Sequence, residues 1–293
     1  MLGDCHVHMV LDGRDWKSAI GWHAQAPDIP FIHATLERYK QLGYTYLRDG
    51  GDRWGVGVAA RELAPKYGIR YVTPLAPLCK KGHYGAFIGE AFADLGDYAQ
   101  LVRKRRSQGA DFIKIMISGL MDFDRYGVLT EEGLSAPEIK EMIHIAHSEG
   151  FSVMAHANGA RVLEAAACAG VDSVEHGAYP DNNALQAMAE NGVVWVPTLS
   201  TIGNLKGKGR FSEKDVCAIF DRAVEAVGQY HAIGGIVAPG TDAGAWAVEH
   251  GCATEEGHLI SAGVDAAACA AGTKAIMDKF EEARFASLFV ILR

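Results

Sequence analysis

Leu2-Gly3-Asp4-Cys5-His6-Val7-His8-Met9 opens the chain as an apolar, strand-like run that carries two imidazoles two residues apart. In a strand, residues i and i+2 share a face, so both rings point one way while Val7 points the other. His-x-His also occurs on solvated strand faces, so the motif gains meaning only from companions further along the chain. Phe112-Ile113-Lys114-Ile115-Met116-Ile117 sets a lysine inside an apolar run, where an unpaired ammonium is costly. A snorkelling stem or an ion pair with Asp111 is its ordinary explanation. Met154-Ala155-His156-Ala157 and Val174-Glu175-His176-Gly177 each finish a run with a histidine and a small residue. Ile236 to Gly244 ends the last run with Asp242, where a helix cap is the plain alternative. One shared metal site accounts for all of these positions at once, with His6, His8, Lys114, His156, His176 and Asp242 as its ligands.

Apolar, β-branched runs recur at roughly 2–9, 44–49, 69–76, 112–118, 151–157, 172–177, 193–200 and 235–242. Helix-like patterns separate them at roughly 33–42, 55–67, 95–108, 136–149, 160–169, 182–191 and 213–233. Continuous apolar strands alternating with helices imply a parallel sheet covered on both faces. Eight such units predict a (β/α)8 TIM barrel over residues 1–279. Ser135-Ala136-Pro137 and Ser212-Glu213-Lys214-Asp215 mark helix starts, and Gly150, Gly170 and Gly192 mark helix ends. All six candidate ligands fall at strand C-terminal ends, where barrels place their chemistry. Residues 280–293 are expected as a strand-like tail, because Phe285 to Leu292 is an apolar run. Such a tail needs a partner, either the barrel or a second copy in a homo-oligomer.

The chain has 293 residues, 49% of them hydrophobic, and a mean hydropathy of +0.01, which suits a globular protein with a large core. No apolar run reaches the eighteen or so residues of a membrane span. The start lacks the basic-then-apolar build of a signal peptide. A net charge of −8 argues against nucleic acid or anionic membrane as a partner. Arg103-Lys104-Arg105-Arg106 reads as the solvated face of a helix. Six scattered cysteines without a Cys-x-x-Cys pair fit reduced thiols in a cytoplasmic protein. Cys5 lies among the ligands in sequence but is not counted as one.

The order His-x-His, Lys, His, His, Asp resembles the amidohydrolase superfamily. The wording around Leu47-Arg48-Asp49-Gly50-Gly51, Ala155-His156-Ala157-Asn158-Gly159, Val196-Pro197-Thr198 and Gly240-Thr241-Asp242-Ala243-Gly244 resembles its imidazolonepropionase-like and Xaa-Pro dipeptidase-like branch. The likeness runs from about Gly3 to about Thr273. It departs from that branch in one respect. Relatives carry a small β-sandwich flanking the barrel; with the first strand beginning almost at Met1, the expectation here is a barrel that lacks the N-terminal part of the sandwich and keeps at most a remnant.

The resemblance implies a binuclear metal-dependent hydrolase that cleaves a C–N bond, in an amide or dipeptide-like small molecule, by attack of a metal-bridging hydroxide. His6, His8 and Asp242 would hold one ion and His156 and His176 the other. Lys114, carboxylated by carbon dioxide, would bridge them. Neutral imidazoles suit zinc best, with nickel, cobalt and manganese as alternatives. Asp242 would serve as general base and then acid. His83, Tyr126, Thr198 and His250 are the candidate substrate contacts, His83 and His250 because they sit beside glycines in loops that resemble the branch. The same site would also suit a lactonase or carboxylic ester hydrolase, and, more distantly, a low-turnover metal-binding protein.

Overall fold

Ten short strands carry the architecture of the computed structural model, which describes residues 2–291. They are β1 (Leu2–Val7), β2 (Tyr44–Asp49), β3 (Arg70–Val72), β4 (Leu78–Lys80), β5 (Glu90–Phe92), β6 (Ile113–Met116), β7 (Val153–Ala157), β8 (Ser173–His176), β9 (Val194–Val196) and β10 (Ile236–Val237). Every pairing between them is parallel. Val/Ile-rich strands suit this arrangement because helices cover the outer face and side chains fill the inner one.

The third barrel strand is broken. Pro74-Leu75-Ala76-Pro77 interrupts it, because proline donates no ladder hydrogen bond. Its first half, β3, pairs with β2, while its second half, β4, pairs with β6. The order therefore runs β1-β2-β3/β4-β6-β7-β8-β9-β10, with β5 added outside β4. The last seam closes β10 onto β1: Cys5 N donates to Pro239 O at 2.9 Å, and Val7 bridges Ala243. This ring is the (β/α)8 barrel expected from the strand–helix alternation.

Helices at Ile29–Gln41, Val56–Leu63, Leu95–Ser107, Ala136–Ser148, Ala160–Cys168, Asn182–Glu190 and Glu213–Ala232 agree with the expected spans to within a few residues. Asp28, Asp94, Asp181 and Ser212 accept backbone N–H groups at helix starts. Ser135 occupies its N-cap position without making that bond. Gly150, Gly170 and Gly192 take φ of 84°, 83° and 61°, the left-handed turn that ends a helix.

Inside the barrel, Cys5, Tyr46, Phe112, Met154, Val194 and Val196 form an apolar layer, with Ile276 and Phe280 of the helix Ala266–Ile291 packed against it. That helix corrects the strand expected in the tail, since residues 284–291 continue it. Alanines and Glu281-Glu282-Ala283-Arg284 are strong helix formers, and they propagate the helix into an apolar run that alternation alone reads as a strand. Leu292 and Arg293, and the packing of the tail's side chains, lie outside the described residues.

The basic cluster is also corrected in part. Arg105 is buried and pairs with Glu90 at 2.6 Å, while Lys104 reaches Glu90 and Arg106 reaches Glu149. Two carboxylates, Glu90 and Glu149, are shared among the four cations of the cluster. Among the described residues no single helix is long and apolar enough to cross a membrane.

Candidate metal centre

The barrel brings all six expected ligands to one end of its interior. His6 and His8 come from β1 and the residue after it, Lys114 from β6, His156 from β7, His176 from the end of β8, and Asp242 from the turn after β10. Their registers match: Met116 pairs with His156, and Ala157 with His176. Nε2 of His6 and Nε2 of His8 lie 3.4 Å apart, and Asp242 Oδ1 stands 3.5 and 3.3 Å from them. Lys114 Nζ lies 2.9 Å from His6 Nε2 and 3.4 Å from His8 Nε2. The His176 ring centroid is 5.2 Å from that of His6 and 4.6 Å from that of His156.

Three of the strand-end residues sit in strained backbone. His176, Thr198 and Asp242 have φ of 66°, 49° and 57°, each costing on the order of 1–3 kcal/mol for a side chain with a Cβ. Residues held this way cluster at functional sites. The surroundings impose the geometry. Asp242 N donates to His6 O at 2.8 Å, and buried Asp4 accepts from Thr241 N, Thr241 Oγ1 and His6 N, stapling β1 to the Asp242 turn. Gly50 leaves room for the His8 ring, since a Cβ there would overlap His8 Cε1.

Burial sets the protonation states. It holds His6, His8 and His176 well below the usual imidazole range and lowers His156 to about 4, so the rings are neutral with free lone pairs. Burial also lowers the Lys114 ammonium and raises the Asp242 carboxyl. Neither ordinary explanation of Lys114 holds. It is 1% exposed, so it does not snorkel, and Asp111 pairs instead with Arg61 Nη1 at 3.0 Å.

The donor set fits a divalent cation. His6, His8 and Asp242 each offer an atom within a sphere that one ion fills, and Asp242 Oδ1 is buried with no hydrogen-bond donor of its own. Neutral imidazoles and a carboxylate facing one another are otherwise a costly juxtaposition. His156 and His176 adjoin on the far side, where His176 Nδ1 meets Thr198 Oγ1 at 2.7 Å.

The substrate-contact candidates divide. Thr198 is buried and orients His176. His250 is buried with both ring nitrogens engaged away from the candidate ligands: Nε2 contacts Leu11 O at 2.9 Å and Nδ1 contacts Tyr39 OH at 3.2 Å. His83 Nδ1 lies 3.7 Å from Glu131 Oε1, while the ring of the adjacent Tyr84 lies 4.8 Å from that of His156 at a tilt of 40°. Tyr126 is exposed and packs on Tyr179 rather than on the site.

Several site residues escape a reading by motif. Glu175 Oε2 lies 2.8 Å from His6 Nδ1, and its other oxygen pairs with buried Arg48. Asn158 donates to Gly119 O and accepts from Ala178 N, holding the loop beside His156. Arg48, set inside a strand of a buried parallel sheet, was the available signal, since a buried guanidinium demands an anion. Above the ligands opens a cavity of about 410 Å³, with His8, His176 and Asp242 at its base and aromatic walls from Trp16, Phe87 and Trp246.

No family model matches the chain. It is 26% identical to ochratoxinase of Aspergillus niger over 301 residues, covering 88% of this chain and 61% of that protein, so the chain spans less than two thirds of that curated relative. Among solved structures, an amidohydrolase superposes with a TM-score of 0.73 at 24% identity, covering 92% of this chain and 70% of the other. A Xaa-Pro dipeptidase with bound methionine gives 0.71 at 24% identity, covering 89% and 69%. In fold the chain is similar to these amidohydrolase and dipeptidase structures, and its candidate site residues fall along the strands in the order that the resemblance to the amidohydrolase superfamily leads one to expect.

Proposed function

We propose that the chain is a binuclear metal-dependent hydrolase that cleaves a C–N bond of a small amide or dipeptide-like substrate. The observation that carries this is the buried convergence of neutral His6 and His8 with Asp242 around Lys114, beside His156 and His176. Relatives named ochratoxinase, amidohydrolase and Xaa-Pro dipeptidase support the bond class.

His6, His8 and Asp242 would hold one ion, and His156 and His176 the second. Burial favours the neutral Lys114 amine, which can add to carbon dioxide with loss of a proton; the resulting carbamate would supply the anionic charge needed to hold divalent ions beside these histidines. Bound divalent ions supply Lewis-acid polarisation of the scissile carbonyl and a lowered water pKa. Asp242, whose proton affinity burial raises, takes the proton of the attacking water and passes it to the leaving amine. The C–N bond breaks, giving a carboxylic acid and an amine.

Metal analysis of protein expressed with zinc or manganese tests this first. About two divalent ions per chain are expected, and fewer than about one overturns the reading. Assays on N-acyl amino acids, Xaa-Pro dipeptides and lactones then separate amide from ester cleavage. Turnover confined to lactones would replace the bond assigned here.

A further inference from the structure

The cavity above the metal ligands carries an exposed cation, Arg210, set against two aromatic rings. Arg210 Cζ lies 4.4 Å from the Trp246 ring centroid and 5.2 Å from that of Phe211. Phe211 and Trp246 meet edge to face at 6.2 Å and 89°, and Phe123 backs Phe211 at 5.3 Å. On another wall, Phe87 packs against Trp16 at 5.5 Å and Tyr84 at 5.7 Å. All of these residues line the same 410 Å³ that contains His8, His176 and Asp242.

The guanidinium has no carboxylate partner among the described residues; its contacts there are the two rings. Arginines that the barrel brings near acid are paired, as in Arg48–Glu175 and Arg105–Glu90. A guanidinium carbon lying over the Trp246 ring is a cation–π contact, which leaves the Arg210 N–H donors free to bind an anion. A planar fork held in this way matches one carboxylate. One positive charge neutralises one negative charge.

We propose that Arg210, Phe211 and Trp246 form a substrate subsite that reads a carboxylate attached to an aromatic or similarly flat apolar group. Resting on the hydrolytic function proposed above, the substrate class becomes N-acylated aromatic amino acids. Arg210 acts in specificity: it holds the carboxylate while the aromatic walls take the ring. Apolar cavities with a few placed polar groups select ligands in this way.

The test uses ligands with no scissile amide, so it does not depend on turnover. Binding of 4-phenylbutanoate, 4-phenylbutan-1-ol and butanoate to the intact purified protein is measured by titration calorimetry. The acid is expected to bind about tenfold more tightly than the alcohol, the scale of one charge-assisted pair. Butanoate, lacking the ring, is expected to bind at least about tenfold more weakly than 4-phenylbutanoate. Arg210→Met should bring the acid-to-alcohol ratio close to one, whereas Arg210→Lys should keep part of it. A ratio that survives in Arg210→Met places the carboxylate elsewhere, on the metal ions for instance, and overturns the subsite. Equal binding of acid and alcohol to the unaltered protein, or of butanoate and 4-phenylbutanoate, overturns it as well. Hydrolysis of N-acetyl-L-phenylalanine is read separately. Its absence beside an intact Arg210-dependent preference rejects the proposed reaction and leaves the subsite standing.

Discussion

Glu175 Oε2 sits 2.8 Å from His6 Nδ1, on the opposite side of the ring from Lys114, whose Nζ lies 2.9 Å from His6 Nε2. The carboxylate thus stands behind a candidate ligand rather than among the candidate ligands. Burial raises the Glu175 carboxyl, and Arg48 Nη2, 2.8 Å from its Oε1, opposes that rise. A carboxylate behind an imidazole orients the ring and strengthens the opposite nitrogen as a donor.

Glu175→Gln is therefore expected to weaken metal binding by roughly 10–100-fold, the usual cost of losing such a partner. Competition against a fluorescent zinc chelator measures this directly. An affinity equal to that of the unaltered protein would reject the backing role.

Lys114→Ala should lose much of the second metal and most activity, because Ile113, Ile115 and Met116 offer no substitute anion. Short-chain carboxylic acids are expected to restore part of both by standing between the ions. Metal content with and without added propionate decides the matter, and a variant that keeps its full metal content removes the bridge.

Asp242→Asn is expected to retain most of the metal while hydrolysis falls by roughly 10²–10⁴-fold, the range of a lost general base. Parallel metal analysis and rate assays separate the two effects. Unchanged turnover would transfer the base to another residue.

His250 supplies a pH prediction away from the ligands. Burial lowers its pKa from 6.5 to about 4, so the folded state excludes a proton that the unfolded chain accepts. Its contribution is present above pH 6.5 and is lost as pH falls through about 4. The shift corresponds to on the order of 3 kcal/mol across that window. Urea midpoints of metal-stripped protein at several pH values check this. His250→Gln should show a shallower acid loss than the unaltered chain, and parallel slopes would sink the assignment.

Sequence by itself determined the strand–helix alternation, the barrel and the six residues that meet at its end. That was legible because strand periodicity assigns faces, and a polar residue at the end of an apolar run stands out whatever its partners. Tertiary structure alone decided what lies behind and above those residues. Arg48 and Glu175 are 127 positions apart on strands that are not neighbours, and only closure of the ring across β10 and β1 sets them face to face. His250 and His83 carry motif-like neighbours, yet loop packing sets them against Tyr39, Leu11 and Glu131. The aromatic wall around Arg210 is assembled from separate loops, whose positions depend on contacts that no local spacing encodes. The tail shows the same limit in reverse: helix propagation from Ala266 overrides an apolar pattern that, in isolation, reads as a strand.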